Sequence, residues 1–198
     1  MSGTLPTSPA FNSLIVQSVQ PTIVSRAISG RRQARQTHGQ YYKLTATYPP
    51  MTRAQFAPIK AFIAKQRGQY ESFQVIPPVV STPQGSPAGS PLVNGASQTG
   101  RSIVTDGWNA SITVFKANDY LKFANHDKVY CVTADASSDG SGASTISIEP
   151  ALITSPANDS AITYTAVPFT VALTTRVQEF ATNTTGLFEY ELDFEEVL

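Results

Sequence analysis

Catalysis in this chain would have to start from few groups: two histidines, one cysteine and 14 acidic residues among 198. His38 and His126 stand in no metal-ligand pattern such as H-x-x-x-H, and each reads as a polar loop residue. Asp135, Asp139 and Gly140 are spaced somewhat like a calcium loop, but the ligand ladder and closing Glu of an EF-hand are absent, which leaves a bare turn. Cys131 sits in the apolar run Val129-Tyr130-Cys131-Val132, with only Lys128 as a nearby base. A reduced, buried thiol is expected there, and a single cysteine excludes an intrachain disulfide. Neither G-x-S-x-G nor G-x-x-x-x-G-K-[ST] occurs. The C-terminal carboxylates fall on one strand face and read as a charged surface, not as an acid–base pair held in two different environments. The expectation is a non-enzyme without cofactor or metal.

Aromatic side chains offer a second chemistry. Trp108, Tyr120 and Phe123 suit a sugar-binding platform, but core packing is the favoured reading. The sequons at Asn109, Asn158 and Asn183 matter only in a secreted eukaryotic chain, and nothing else points to that setting.

Charge carries more information. The formal net charge is zero and only 14% of residues are charged. That is sparse for a free monomer and hints that neighbours cover much of the surface. The signs are also segregated. No acidic residue precedes Glu71, whereas Arg26, Arg31, Arg32, Arg35, Lys43, Arg53, Lys60, Lys65 and Arg67 all do. Near the other end stand Glu179, Glu189, Glu191, Asp193, Glu195 and Glu196, opposed only by Arg176. A nucleic-acid patch is one meaning of such asymmetry. Pairing of one end with the other, within or between subunits, is the favoured one, because both signs are available in comparable amounts. The candidate interface residues are Arg31, Arg32, Arg35 and Lys43 on one side and Glu189, Glu191, Asp193 and Glu195 on the other. For Ser29–Gln36 itself, a basic loop meeting an anion and a solvated hairpin strand both stay open.

These charges need elements to hold them. The stretch from Tyr41 to Val75 organises the chain. Tyr42, Leu44, Ala46 and Tyr48 alternate with Lys43, Thr45 and Thr47, as in a strand with one buried face. Pro49-Pro50 ends it. Thr52 with Gln55 has the spacing of a capping box, and Phe56, Ile59 and Ile63 form an apolar helical stripe. Pro58 allows two readings, a helix capped by Thr52 that carries the proline inside it at a cost of roughly 3 kcal/mol, or a short turn with the helix beginning at Pro58. Gly68 is the expected C′ residue, after which Tyr70, Phe73 and Val75 resume extended structure. At the far end, Phe188, Tyr190, Leu192 and Phe194 alternate with the acidic residues. Residues 1–12 read as an extended arm.

Between these ends the composition changes. Residues 81–100 are rich in Ser, Pro and Gly and read as a long linker with no packed element. Residues 101–166 show short strands and regular turns, as in a small antiparallel barrel or sandwich. The predicted fold is mainly β: an antiparallel β-sandwich or barrel core from residues 1–80 and 167–198, with one packed helix near 52–67, and an inserted β-domain over 101–166. No apolar run approaches the ~20 residues of a membrane span, and the first residues lack the basic and apolar regions of a signal peptide.

Gly30-Arg31-Arg32-Gln33 with Tyr41-Tyr42, then Tyr48-Pro49-Pro50-Met51-Thr52-Arg53-Ala54-Gln55-Phe56 and Gly68-Gln69-Tyr70, resembles the opening of tail proteins of tailed bacteriophages. Trp108 to Leu152 and the ending Leu187-Phe188-Glu189-Tyr190-Glu191-Leu192 are similar to the same group, and the layout resembles distal tail or baseplate ring proteins. The resemblance implies a virion protein, assembled in the host cytoplasm, that forms a homo-oligomeric, hexameric ring at the tail tube end. It implies tail tube and hub proteins as partners, with no membrane and no direct nucleic acid. Hub-like relatives would be trimeric. The alternative is a tail-tip module that binds host-surface carbohydrate through the inserted domain.

Overall fold

The computed structural model describes residues 2–37, 39–124 and 126–198, so the reading of His38 lies outside the described residues. With 40% strand and 7% helix, the chain is mainly β. The N-terminal strands are β1 (Ser13–Val19), β2 (Thr22–Arg26), β3 (Arg32–Gln36), β4 (Tyr41–Thr47) and, beyond helix α1 (Arg53–Lys65), β5 (Phe73–Val75). The middle of the chain supplies β6 (Gly89–Val93), β7 (Ser102–Trp108), β8 (Thr113–Phe115), β9 (Tyr120–Phe123), β10 (Val129–Val132), β11 (Ala136–Ser137), β12 (Ser144–Glu149) and β13 (Ile162–Thr163). The last strands are β14 (Phe169–Leu173), β15 (Ala181–Thr182), β16 (Phe188–Glu189) and β17 (Glu191–Glu196).

Both ends of the chain build one five-stranded antiparallel sheet, in the order β1-β4-β17-β14-β5. Leu44 pairs with Val16 on one side and Phe194 on the other. That register puts Tyr42, Leu44 and Ala46 on the same face as Leu192 and Phe194, and all five are buried. The alternation in sequence is therefore the alternation of the sheet.

Helix α1 covers this face with Phe56, Ile59 and Ile63. Phe56 stacks on Phe188 and meets Tyr190 edge-on, while Phe62 meets Phe73 edge-on. At its start the Thr52 backbone N–H donates to Gln55 Oε1 at 2.9 Å, an arrangement worth about 1 kcal/mol. The helix runs through Pro58 without a break, so the reading with the proline inside the helix is the correct one and the short-turn reading is not. At its other end Gln66 is the C-cap, and Arg67 (φ 54°) precedes Gly68 (φ 69°). The C′ position thus belongs to Arg67, one residue before the expected glycine. Tyr70 lies in the turn that follows and is exposed, not in extended structure.

The first residues are docked. Leu5 is buried, its N–H donates to Gln74 O, and Gln74 N–H donates to Gly3 O. The arm so lies alongside β5, bridged in parallel at Thr4 and Gln74, and forms the edge of the sheet there.

The middle of the chain closes a second core. Its six-stranded sheet runs β13-β9-β10-β12-β7-β6. A bridge between Leu92 and Ala161, with Val93 N–H donating to Ser160 O, joins the two edges into a nearly closed barrel. Val93, Ile103, Phe115, Leu121, Tyr130 and Ile146 fill it. Strand β6 lies inside the segment read as an unstructured linker. There Pro91 and Val93 are buried, because the edge of a barrel tolerates a proline that a central strand would not. Gly142 (φ 82°) allows a close backbone approach in this core: a Cβ there would lie 2.3 Å from Trp108 O.

Trp108 and Phe123 are buried in the barrel, and Trp108 Nε1 donates to Thr105 Oγ1 at 2.8 Å. Tyr120 packs against Tyr42 and Phe169 of the terminal sheet. These aromatics make core contacts, as the favoured reading held.

Candidate functional site

Strands β2 and β3 leave the sheet. They continue the β1–β4 ribbon beyond Gln20-Pro21, pair only with each other, and every residue of both is exposed. Arg31, Arg32 and Arg35 sit on this hairpin together with Arg26. Its exposed apolar residues are Ile23, Val24 and, at the turn, Ile28, which is 110% exposed. Among the described residues, no hydrogen bond or ion pair engages these four arginine side chains. A two-stranded ribbon without a packed face is marginal in water.

Glu191, Asp193 and Glu195 occupy the outer face of the terminal sheet, while Glu189 stands on β16, which pairs with β15. Glu191 lies opposite Thr47 and Asp193 opposite Thr45, and the Thr45 hydroxyl donates to Asp193 Oδ1 at 2.6 Å. Beside them runs a groove of about 720 Å³ between β17 and the loop from Thr175 to Ala181. Glu179, Glu189, Glu191 and Asp193 line it, and among the described residues no cation does. The Tyr190 hydroxyl donates to Gln178 Oε1 at 3.1 Å and holds that loop over the strand. Burial pushes the Tyr190 phenol up to about 12, so it stays a donor at neutral pH. Tyr48 also lines the groove, and its hydroxyl has no hydrogen-bond partner among the described residues.

Lys43 and Glu195 behave differently from the other predicted residues. They are cross-strand partners on the outer face, with Nζ and Oε2 3.6 Å apart. Their charges are thus answered within one chain. Arg31, Arg32 and Arg35 remain on the hairpin, and Glu189, Glu191 and Asp193 at the groove.

One charged pair had no counterpart in the sequence reading. Lys128, just before β10, reaches Glu196 at the end of β17, with 2.5 Å between Nζ and Oε2. Glu196 Oε2 also accepts from Tyr42 N–H, and Oε1 from Val129 N–H. Burial raises the Glu196 carboxyl and lowers the Lys128 ammonium from their ordinary values, each opposed by the other's charge. Nearby, Lys122 donates to Thr170 Oγ1, which donates to Asp127 Oδ1. The parity of β17 held the missed signal: Tyr190, Leu192 and Phe194 face inward, so Glu196 must too.

Other candidates are quiet. Asp139 accepts from the Ser141 hydroxyl and from the N–H groups of Ser141 and Ala143, which closes its own turn. Cys131 is half-buried, and burial raises its thiol above the ordinary range. Among the described residues, no three His, Cys, Asp or Glu side chains gather as a metal site. No helix there is long and apolar enough to cross a membrane.

The barrel decides the comparison. Residues 79–167, which enclose β6 through β13, match the model of a family described as distal tail protein pb9, B domain. The match supports a phage distal tail protein family. A search of the curated proteins found no match. A distal tail protein family suggests a structural role in the phage tail, a place in the virion tail and contacts with other tail proteins. It also suggests a non-catalytic protein.

Proposed function

We propose that this protein forms a homo-oligomeric ring at the end of the tail tube or in the baseplate, six copies around the axis, joining tube to hub and supporting tail assembly. The match of residues 79–167 to the B domain of a distal tail protein carries this reading. Residues 1–80 with 167–198 would form the ring-building unit, and the barrel, from about residue 81 to 166, would be inserted into it. The exposed basic hairpin and the acidic groove support it, because opposite surfaces on one chain suit head-to-tail contacts, which close into rings when the rotation allows. The protein would act as a wall, not as an enzyme, and would assemble in the host cytoplasm before joining the virion. Electron microscopy of the purified protein tests this. Closed rings are the expected result, and a monomer at all concentrations would overturn it.

A further inference from the structure

The ring reading leaves open which surfaces meet. The β2–β3 hairpin is the most unusual feature of the surface. Its pairing sets Arg26 directly opposite Arg32, with Arg31 next in the chain. Like charges directly across a ladder repel, so the tip needs an anion to be quiet. The opposite strand pairs add Ile23 beside Arg35 and Val24 beside Ala34, both apolar and exposed. Five residues of strand project this cluster about 17 Å from the sheet. The arm therefore offers guanidinium groups and aliphatic side chains together.

The groove offers the complement. Four carboxylates line it, and Val177 and Phe180 on its loop are 67% and 46% exposed. Lys60 sits 4.7 Å over the Phe180 ring, and Arg176 belongs to the same loop without lining the groove. The unpartnered Tyr48 hydroxyl adds a second, independent sign of a missing partner. Buried polar groups without partners are uncommon in native proteins.

Resting on the ring reading, we propose that the β2–β3 arm of one copy docks in the groove between β17 and the Thr175–Ala181 loop of the next copy. Arg26, Arg31 and Arg32 meet Glu179, Glu189, Glu191 and Asp193 there, and Ile23 and Val24 pack near Val177 and Phe180. The occupant is a second copy of this chain, because groove and arm match in both charge and apolar content. Nucleic acid would satisfy the arginines but leaves the acidic groove empty and the aliphatic side chains in water.

Charge exchange tests the contact in the full chain. One variant carries Arg26→Glu and Arg32→Glu, the other Glu189→Lys and Glu191→Lys. All four side chains are exposed, so both variants should keep the wild-type melting transition. Each alone should associate at least about 100-fold more weakly than wild type by analytical ultracentrifugation. An equimolar mixture should regain the wild-type rings, since in alternating copies each altered arm then finds an altered groove and each intact arm an intact one. Wild-type rings unaffected by either pair of changes, or a mixture that stays monomeric, would overturn this contact and leave the ring reading standing. A wild-type monomer would overturn both. Tight binding of duplex DNA by the wild-type protein, lost with Arg26→Glu and Arg32→Glu while rings persist, would assign the arm to nucleic acid instead.

Discussion

Lys128 Nζ lies 2.5 Å from Glu196 Oε2, with the two side chains 4% and 0% exposed. The pair ties the strand that opens the second half of the barrel to the last strand of the terminal sheet. Two backbone N–H groups complete the carboxylate's partners. Removing one member leaves a buried charge unanswered. Lys128→Met should therefore cost about 3–5 kcal/mol in urea unfolding. Lys128→Met with Glu196→Gln should recover part of that loss, because the amide removes the unanswered charge and its oxygen still accepts from one backbone N–H, while its NH2 leaves the other N–H unpaired. Equal losses in the single and double variants would show that the pair does not act as a unit. The single variant should also depend on pH. Its carboxyl, raised by burial, contributes stability that is full below about 4.3 and is lost as pH rises through the shifted value. The Lys128→Met deficit should accordingly be smaller at low pH than at pH 8.

Asp139 gives the opposite sign. Hydrogen bonds from the Ser141 hydroxyl and the Ala143 and Ser141 N–H groups hold its carboxyl below the usual range. A depressed pKa contributes stability that is present above about 3.9 and is lost as pH falls through the folded value. Asp139→Asn should flatten that part of the acid denaturation curve. An unchanged curve would mean that the turn contributes nothing to the folded barrel's acid sensitivity.

Much of this fold was legible because strict alternation leaves little choice. Tyr42 to Tyr48 and Phe188 to Phe194 each demanded one buried face, and the sheet that pairs β4 with β17 supplies it. Thr52 with Gln55 and the Phe56-Ile59-Ile63 stripe located α1. Strand β6 was hidden by its own composition: Gly89, Ser90 and Pro91 have low strand propensity, and only closure of the barrel recruits them. Tertiary pairing likewise turned the N-terminal arm into a sheet edge. The proposed contact draws on residues that the sequence already singled out. Charge segregation named the arginines and carboxylates, but sequence separation did not reveal that Lys43 and Glu195 face each other across one ladder. Nor did it show that the arm stands free of the core.

Pro58 is exposed on the outside of α1, inside the helix, and cannot donate to the carbonyl four residues earlier. Restoring the N–H and removing the ring should stabilise the protein, by up to about 3 kcal/mol. Pro58→Ala is thus expected to raise the urea midpoint without changing the slope. A loss of stability would mean that the proline-shaped helix is required for Phe56 and Ile59 to reach the sheet.

Trp108 separates a sugar platform from a core. Its side chain is 5% exposed, meets Phe115 edge-on and Tyr164 at a tilt, and gives its indole N–H to Thr105. Almost none of the residue is offered to a ligand, and Gly142 packs directly over its backbone. Trp108→Ala should therefore act through packing, costing about 3–5 kcal/mol as the barrel loses its largest side chain. A glycan array probed with the intact protein should show no binding that depends on this residue. Tyr164→Ala, which trims the half-buried neighbour, should cost less and leave the array equally blank. Strong glycan binding that vanishes with Trp108→Ala, in a variant that still melts cooperatively, would show that the barrel opens to a sugar and would favour the host-recognition alternative over a purely structural barrel.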